Sequence, residues 1–317
     1  MTYRVLVSTD LGGDPDDIQS LYRLVHYSDI LRVEGITSCT GPGSQPSADL
    51  IRHWIRRIDV DHLRTQGYPE LMTEDQLLDG VVQGATTAGP PGLGQATAGS
   101  RKIVERALAE ADDILWVAVW GSITDVAQAL HDAPAIAPRI RINYIGSSNT
   151  VNDPAARDFV YQFMAEQYPQ LWWIENGVLP KLSRDTFRGV YQGGQQDGGW
   201  GNIAFIEQHI RHRGTTHNGL FAEKCGDAFP VATWPAGSLK EGDSPTLLHL
   251  LSPPCGNVGD VDDPTAESWG GQYRRPAPQR FPNYYADLDA DAATCQETIA
   301  RWRVAFLSHW QKRWLRY

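Results

Sequence analysis

The sequence predicts an α/β protein, doubly wound on a mostly parallel sheet. Three observations carry that expectation. Short apolar runs of strand length recur at Val5–Val7, Leu31–Ser38, Ile114–Trp120, Ile140–Gly146 and Leu171–Ile174. Between them lie segments whose apolar residues return at helical spacing, and alternating strands and helices build parallel sheets. Ile114–Trp120 is apolar without interruption, as a strand covered on both faces should be. No internal repeat or clear linker divides the chain, so residues 1–317 read as one domain.

Taken in order, Val5–Val7 ends at a Gly-Gly turn, and Ile18, Leu21, Tyr22 and Val25 then mark the buried stripe of a first helix. Ile51, Trp54, Ile55 and Ile58 mark a second helix after the Leu31–Ser38 strand. Residues 68–99 combine a short acidic helix with an Ala-Gly-Pro-Pro-Gly-Leu-Gly stretch and are expected to form a long surface loop. Gly92-x-Gly94 inside it is not a phosphate loop, because no Lys-Ser/Thr follows. Ser100 caps a helix carrying Ile103, Val104, Ala107 and Leu108, Gly121–Leu130 opens the next, and Phe159, Val160, Phe163 and Met164 belong to a later one. The second half is less regular. Gly193–Gly201 and residues 252–285 read as long loops that wall a site, and the last 25 residues as one helix whose Trp302, Phe306, Trp310 and Trp314 pack at the surface.

Composition excludes several classes. A net charge of −10, with no basic run longer than Arg56-Arg57 or Arg274-Arg275, argues against nucleic acid as a partner. The apolar runs fall short of the ~20 residues that span a bilayer, so no membrane is expected. Met1 lies three residues ahead of the first strand, which leaves no room for a signal peptide, and a cytoplasmic address is the expectation. Cys39, Cys225, Cys255 and Cys295 are scattered without zinc spacing and read as free thiols. A homo-oligomer is compatible with this composition.

The chemistry concentrates in Asp10-Leu-Gly-Gly-Asp14-Pro-Asp16-Asp17, where the first strand hands over to the first helix. In α/β sheets ligands bind beyond the carboxyl ends of strands. Carboxylates crowded this closely repel one another unless a cation offsets them, and hard oxygen donors suit Ca²⁺ or Mg²⁺ better than zinc. Asp14, Asp16 and Asp17 are equally what a helix start uses against its dipole; Asp10, which ends the strand, is not. Glu241-Gly-Asp243-Ser-Pro245 ahead of an apolar helix carries the same two readings, cap or ligand.

The acidic turn resembles the N-terminal signature of the inosine-uridine-type nucleoside hydrolases, with a spacing two residues longer. That form is more similar to the nucleoside-hydrolase-like domain of some bacterial cellulose-binding proteins. Glu241–Pro245, Trp269-Gly-Gly271 and Arg301-Trp-Arg303 match further elements of that branch, so the resemblance spans nearly the whole chain. It implies a nucleoside-hydrolase-like fold and a Ca²⁺ ion held by Asp10, Asp17, Asp243 and the carbonyl of Trp120. It also implies a small-molecule sugar or nucleoside substrate and hydrolysis of a pentofuranoside, with Asp10 as general base and Asp16 on a ring hydroxyl.

Gly146-Ser-Ser-Asn149-Thr-Val-Asn152-Asp153-Pro154 resembles the segment that binds the sugar's terminal hydroxyl, which implies contacts from Asn149, Asn152 and Asp153; an Asx turn capping a helix explains the same residues. Trp200 and Trp269, on glycine-rich loops, either stack on the substrate or anchor their loops. Two departures separate this chain from the established hydrolases: Cys39-Thr-Gly follows Ile36-Thr-Ser38 where an Asn is usual, and Gly242 stands where a His precedes the late Asp. The loss of that His leaves the leaving-group acid open among Tyr191, His217 and His249. It also raises a second reading, a carbohydrate-binding protein that retains the metal and sugar contacts. A Mg²⁺-dependent phosphohydrolase would also use an Asp-rich strand end, but few Lys or Arg lie nearby to hold a phosphate.

Overall fold

The computed structural model describes residues 2–13, 15–109, 113–177, 185–211 and 237–317. Its centre is an eight-stranded sheet in the order β3-β2-β1-β4-β5-β6-β8-β7. The strands are β1 (Tyr3–Thr9), β2 (Leu31–Ser38), β3 (Val81–Gln83), β4 (Leu115–Val119), β5 (Ile140–Ile145), β6 (Trp172–Asn176), β7 (Tyr273–Arg274) and β8 (Tyr284–Asp287). All pairings are parallel except the edge pair β7 and β8. Helices α1 (Asp16–His26), α2 (Ala48–Ile58), α3 (Val60–Thr65), α4 (Glu74–Asp79), α5 (Ala98–Ala109), α6 (Thr124–Asp132), α7 (Ser148–Asn152), α8 (Pro154–Glu166) and α9 (Asn202–His209) follow in chain order. Helices Pro245–Leu251, Ala292–Ala300 and Arg303–Trp314 complete the set among the described residues.

Burial on both faces of the sheet follows from the period of two along each strand. In β1, Val5 and Val7 join the core that includes α1 and the C-terminal helices, whereas Leu6 joins the core under α5, α6 and α8. In β4, Trp116 and Ala118 take the first side and Leu115, Val117 and Val119 the second. The chain winds outward from β1 in one direction through β2 and in the other through β4. The crevice beyond their carboxyl ends is therefore the switch point at which doubly wound folds bind ligands.

Three expectations need correction. Residues 68–99 are not wholly loop: Thr73 and Gln76 form a capping box that starts α4, and β3 pairs with β2 as the sheet edge. The region 252–285 contains β7 and the start of β8. The last 25 residues form two helices, broken at Arg301 and Trp302, and Trp310 and Trp314 are fully buried in the core rather than packed at the surface. Trp310 Nε1 donates to His26 Nδ1 at 2.9 Å, so His26 Nε2 carries the hydrogen shared with the Tyr317 hydroxyl at 2.8 Å. These bonds dock the C-terminal helix on α1, the helix that carries Asp16 and Asp17. No helix among the described residues is long and apolar enough to cross a membrane.

Candidate functional site

Asp10 follows β1 directly, and a turn through Leu11–Gly13 leads into α1; Asp14 lies outside the described residues. Pro15 occupies the position before the helix and makes no side-chain cap bond, and Asp16 and Asp17 lie in the first turn. The Thr9 hydroxyl donates to Asp17 Oδ1, and the Leu11 amide donates back to Thr9 Oγ1 at 3.2 Å, which fixes the turn. Ser244, not Asp243, directly precedes the Pro245–Leu251 helix, and the Thr246 hydroxyl donates to the Asp243 carbonyl at 2.8 Å.

Carboxylate oxygens of Asp16, Asp17 and Asp243 all lie within 4.8 Å of one another. At that separation each charged pair repels by about 3 kcal/mol at an effective dielectric near 20. Lys240, whose Nζ lies 3.8 Å from Asp16 Oδ2, offsets part of this. A hard divalent cation fits the donor set. Asp10 lines the same cavity beside this trio, so the tight group contains Asp16, expected on a ring hydroxyl, and not Asp10.

The cavity has a volume of about 320 Å³ and brings Asp10, Asp16, Asp17, Trp120, Asn149 and Asp243 together. The Asn149 side-chain amide donates to the Trp120 carbonyl at 2.7 Å and to the Ile145 carbonyl at 2.9 Å, tying the ends of β4 and β5. Asn149→Leu would leave both carbonyls without that donor and is expected to cost about 1–3 kcal/mol in chemical denaturation.

Glycines set the remaining clearances. A Cβ at Gly41 would fall 1.6 Å from Asp10 Oδ2 and 2.6 Å from Asp10 Cβ, and one at Gly121 would fall 2.7 Å from Asp10 Cβ. A Cβ at Gly242 would meet Asp16 Oδ2 at 2.5 Å, so the residue that replaces the usual His leaves the room Asp16 occupies.

Other expected contacts lie elsewhere. Asn152 lines a neighbouring cavity, not this one. Asp153 is buried at the start of α8, accepts the Thr124 hydroxyl at 2.7 Å and has its carboxyl pushed up by burial. Trp200 and Trp269 do not line the cleft. The Trp200 carbonyl accepts from Arg303 Nε at 2.6 Å, and the Trp269 ring lies where a Cβ at Gly256 would approach to 2.4 Å.

Among the candidate acids, Tyr191 lines the cleft, with its hydroxyl accepting from Arg188 at 2.9 Å. His249 is buried against Trp116 and Trp172, and burial holds its imidazole down at about 4. His217 lies outside the described residues. Phe187, Arg188 and Lys240 also line the cleft and were not singled out from the sequence. Only Lys240 carried a signal, as the residue before Glu241-Gly-Asp243.

The other matched motifs brace the site. Glu241 receives Arg23 Nε at 2.7 Å and Nη2 at 2.9 Å, which joins the Asp243 segment to α1. Arg303 donates to the carbonyls of Trp200 and Val190 and to Asn202 Oδ1, which gathers the loops behind Tyr191.

An eight-stranded, mostly parallel sheet with an acidic cleft at its switch point defines a nucleoside-hydrolase-like protein. The chain belongs to the family described as the nucleoside hydrolase-like domain of cellulose-binding Sde182, whose model matches residues 4–273. Its fold is similar to that of a nucleoside hydrolase-related hypothetical protein from Saccharophagus degradans that is associated with carbohydrate metabolism. That likeness has 22% identity and a TM-score of 0.67 over 99% of this chain and 71% of that one. An inosine-guanosine nucleoside hydrolase is similar at 14% identity and a TM-score of 0.52, over 96% of this chain and 99% of that one. A purine-preferring ribonucleoside hydrolase from Gardnerella vaginalis is similar at 15% identity and a TM-score of 0.50, with the same coverage. No curated protein matches the chain.

Proposed function

We propose that the protein is a calcium-dependent hydrolase of a pentofuranoside, cleaving the N-ribosidic bond of a nucleoside or a related compound. The observation that carries this reading is the trio of carboxylates within 4.8 Å in a cleft that also holds Asp10 and Asn149. Asp16, Asp17 and Asp243, with the Trp120 carbonyl, are the residues that would hold the ion. A bound Ca²⁺ would supply Lewis-acid chemistry toward ring hydroxyls and water. Asp10, adjacent but outside the trio, takes the proton of the attacking water as general base. The surrounding carboxylates stabilise positive charge that develops on the sugar as the aglycone leaves. Asn149 keeps the Trp120 carbonyl aligned, and Lys240 limits the repulsion among the acids.

Asp10→Asn keeps the shape of this site and removes the base. Turnover is expected to fall at least roughly a hundredfold while some metal and sugar affinity remains. Turnover unchanged in Asp10→Asn would remove Asp10 from the mechanism.

A second reading has its own support: Gly242 supplies no acid for the leaving group, and the family description is of a cellulose-binding protein. On that reading the cleft binds a sugar and does not turn it over.

A further inference from the structure

Beside Arg188 the acidic cleft adjoins a second cavity of about 610 Å³, within the ~300–1,000 Å³ range of small-molecule sites. Pro42, Ser148 and Arg188 line both, so a single ligand can occupy the two together.

The wall of this second cavity is built, not incidental. Asp185 is 5% exposed, and its Oδ2 accepts from Arg188 Nε at 2.8 Å and from the Ser147 hydroxyl at 3.2 Å. Its Oδ1 is buried with no hydrogen-bond partner, an arrangement that folded proteins avoid unless a ligand or water completes it. Ser147 and Asp185 both hold positive φ, at 52° and 38°, which L-residues rarely adopt. Such conformations cluster at ligand sites. Arg188 Nε and one Nη1 hydrogen are committed to Asp185 and Tyr191, and its other guanidinium hydrogens are the donors it can offer.

The groups offered are therefore a carboxylate acceptor, a guanidinium donor, the Ser148 hydroxyl and the Asn152 amide. Sugar hydroxyls, which both donate and accept, match that alternation. A phosphate does not, because it would face Asp185 and the acids of the adjoining cleft. A planar base would want aromatic faces, whereas the apolar side chains here are Pro42 and Val151.

We propose that this cavity is a second sugar subsite, so that the full ligand is a pentofuranose bearing a further glycosyl unit. The inference rests on reading the acidic cleft as the pentofuranose site. Isothermal titration calorimetry in Ca²⁺ tests it with L-arabinose against α-1,5-linked L-arabinobiose and D-ribose against a 5-O-ribofuranosyl ribose. At least one disaccharide is expected to bind tenfold or more tightly than its parent pentose.

Asp185→Asn retains an oxygen for Arg188 and Ser147 while turning the buried acceptor into a donor. It should cut that gain to below threefold, as should Asn152→Ala, with melting temperatures confirming that both variants fold. If a pentose binds but neither disaccharide gains tenfold, or the gain survives both variants, the second subsite is wrong. If no pentose binds at all, the pentofuranose reading fails and this inference falls with it.

Discussion

Glu241→Ala is expected to destabilise the protein by roughly 3–5 kcal/mol, the usual cost of breaking a buried ion pair from one side, and to remove most of its affinity for divalent metal. Both side chains of the Arg23–Glu241 pair are fully buried, and the Arg23 guanidinium lies 4.1 Å from the Trp310 ring centroid. Burial pushes the Glu241 carboxyl up, and Arg23 opposes that shift. Removing Glu241 leaves the guanidinium in the core without its carboxylate. The consequence for the site is geometric. Arg23 lies on the same helix as Asp16 and Asp17, and Glu241 lies two residues before Asp243, so the pair sets the gap across which the three acids meet. The double variant Arg23→Met with Glu241→Leu should recover much of the stability, because apolar side chains can replace a buried pair. It should not recover metal affinity. Urea denaturation and Ca²⁺ titration of the two variants check this, and unchanged metal affinity in Glu241→Ala would show that the pair is a core feature only.

Gly41→Ala is expected to lower turnover at least roughly a hundredfold, the scale of a lost general base, at a stability cost of only about 1–3 kcal/mol for local overpacking. The added methyl would overlap the Asp10 carboxylate and approach its Cβ to 2.6 Å, so rotation of the carboxylate alone cannot relieve the clash. Gly41 does not adopt a positive φ, so the requirement is for space and not for backbone freedom. Gly242→Ala meets only the far end of Asp16 and should act more mildly, through the metal. Steady-state kinetics beside thermal melts separate the two effects. Normal turnover in Gly41→Ala would mean that Asp10 does not move the proton.

The sheet centre was legible because β1, β2, β4, β5 and β6 are apolar-rich segments of strand length, β4 without interruption, followed by helical periodicity. The three residues of β3 are too short to show a period, and Tyr284–Asp287 neither alternates nor stands clear of the Pro- and Gly-rich stretch around it. The acidic half of the site was legible because Asp10, Asp16 and Asp17 are contiguous with a strand-to-helix turn. Asp185 and Arg188 were not, since they reach the cleft edge from a short 3₁₀ turn with no pattern of its own. Trp200 and Trp269 carried two readings for a physical reason: glycines beside an aromatic ring can mean a site wall or a ring packed tightly on backbone. At Trp269 the clearance at Gly256 is that of a ring packed on backbone.

The most direct test of the proposed chemistry is release of free pentose by the wild-type protein from a panel of nucleosides and pentofuranosides, first with Ca²⁺, then after chelation, then with Ca²⁺ restored. Hydrolysis at the Asp16, Asp17 and Asp243 cleft requires pentose to appear, to stop with the chelator and to resume with the metal. Calcium binding by calorimetry without pentose release from any member of the panel would contradict it and leave a sugar-binding protein.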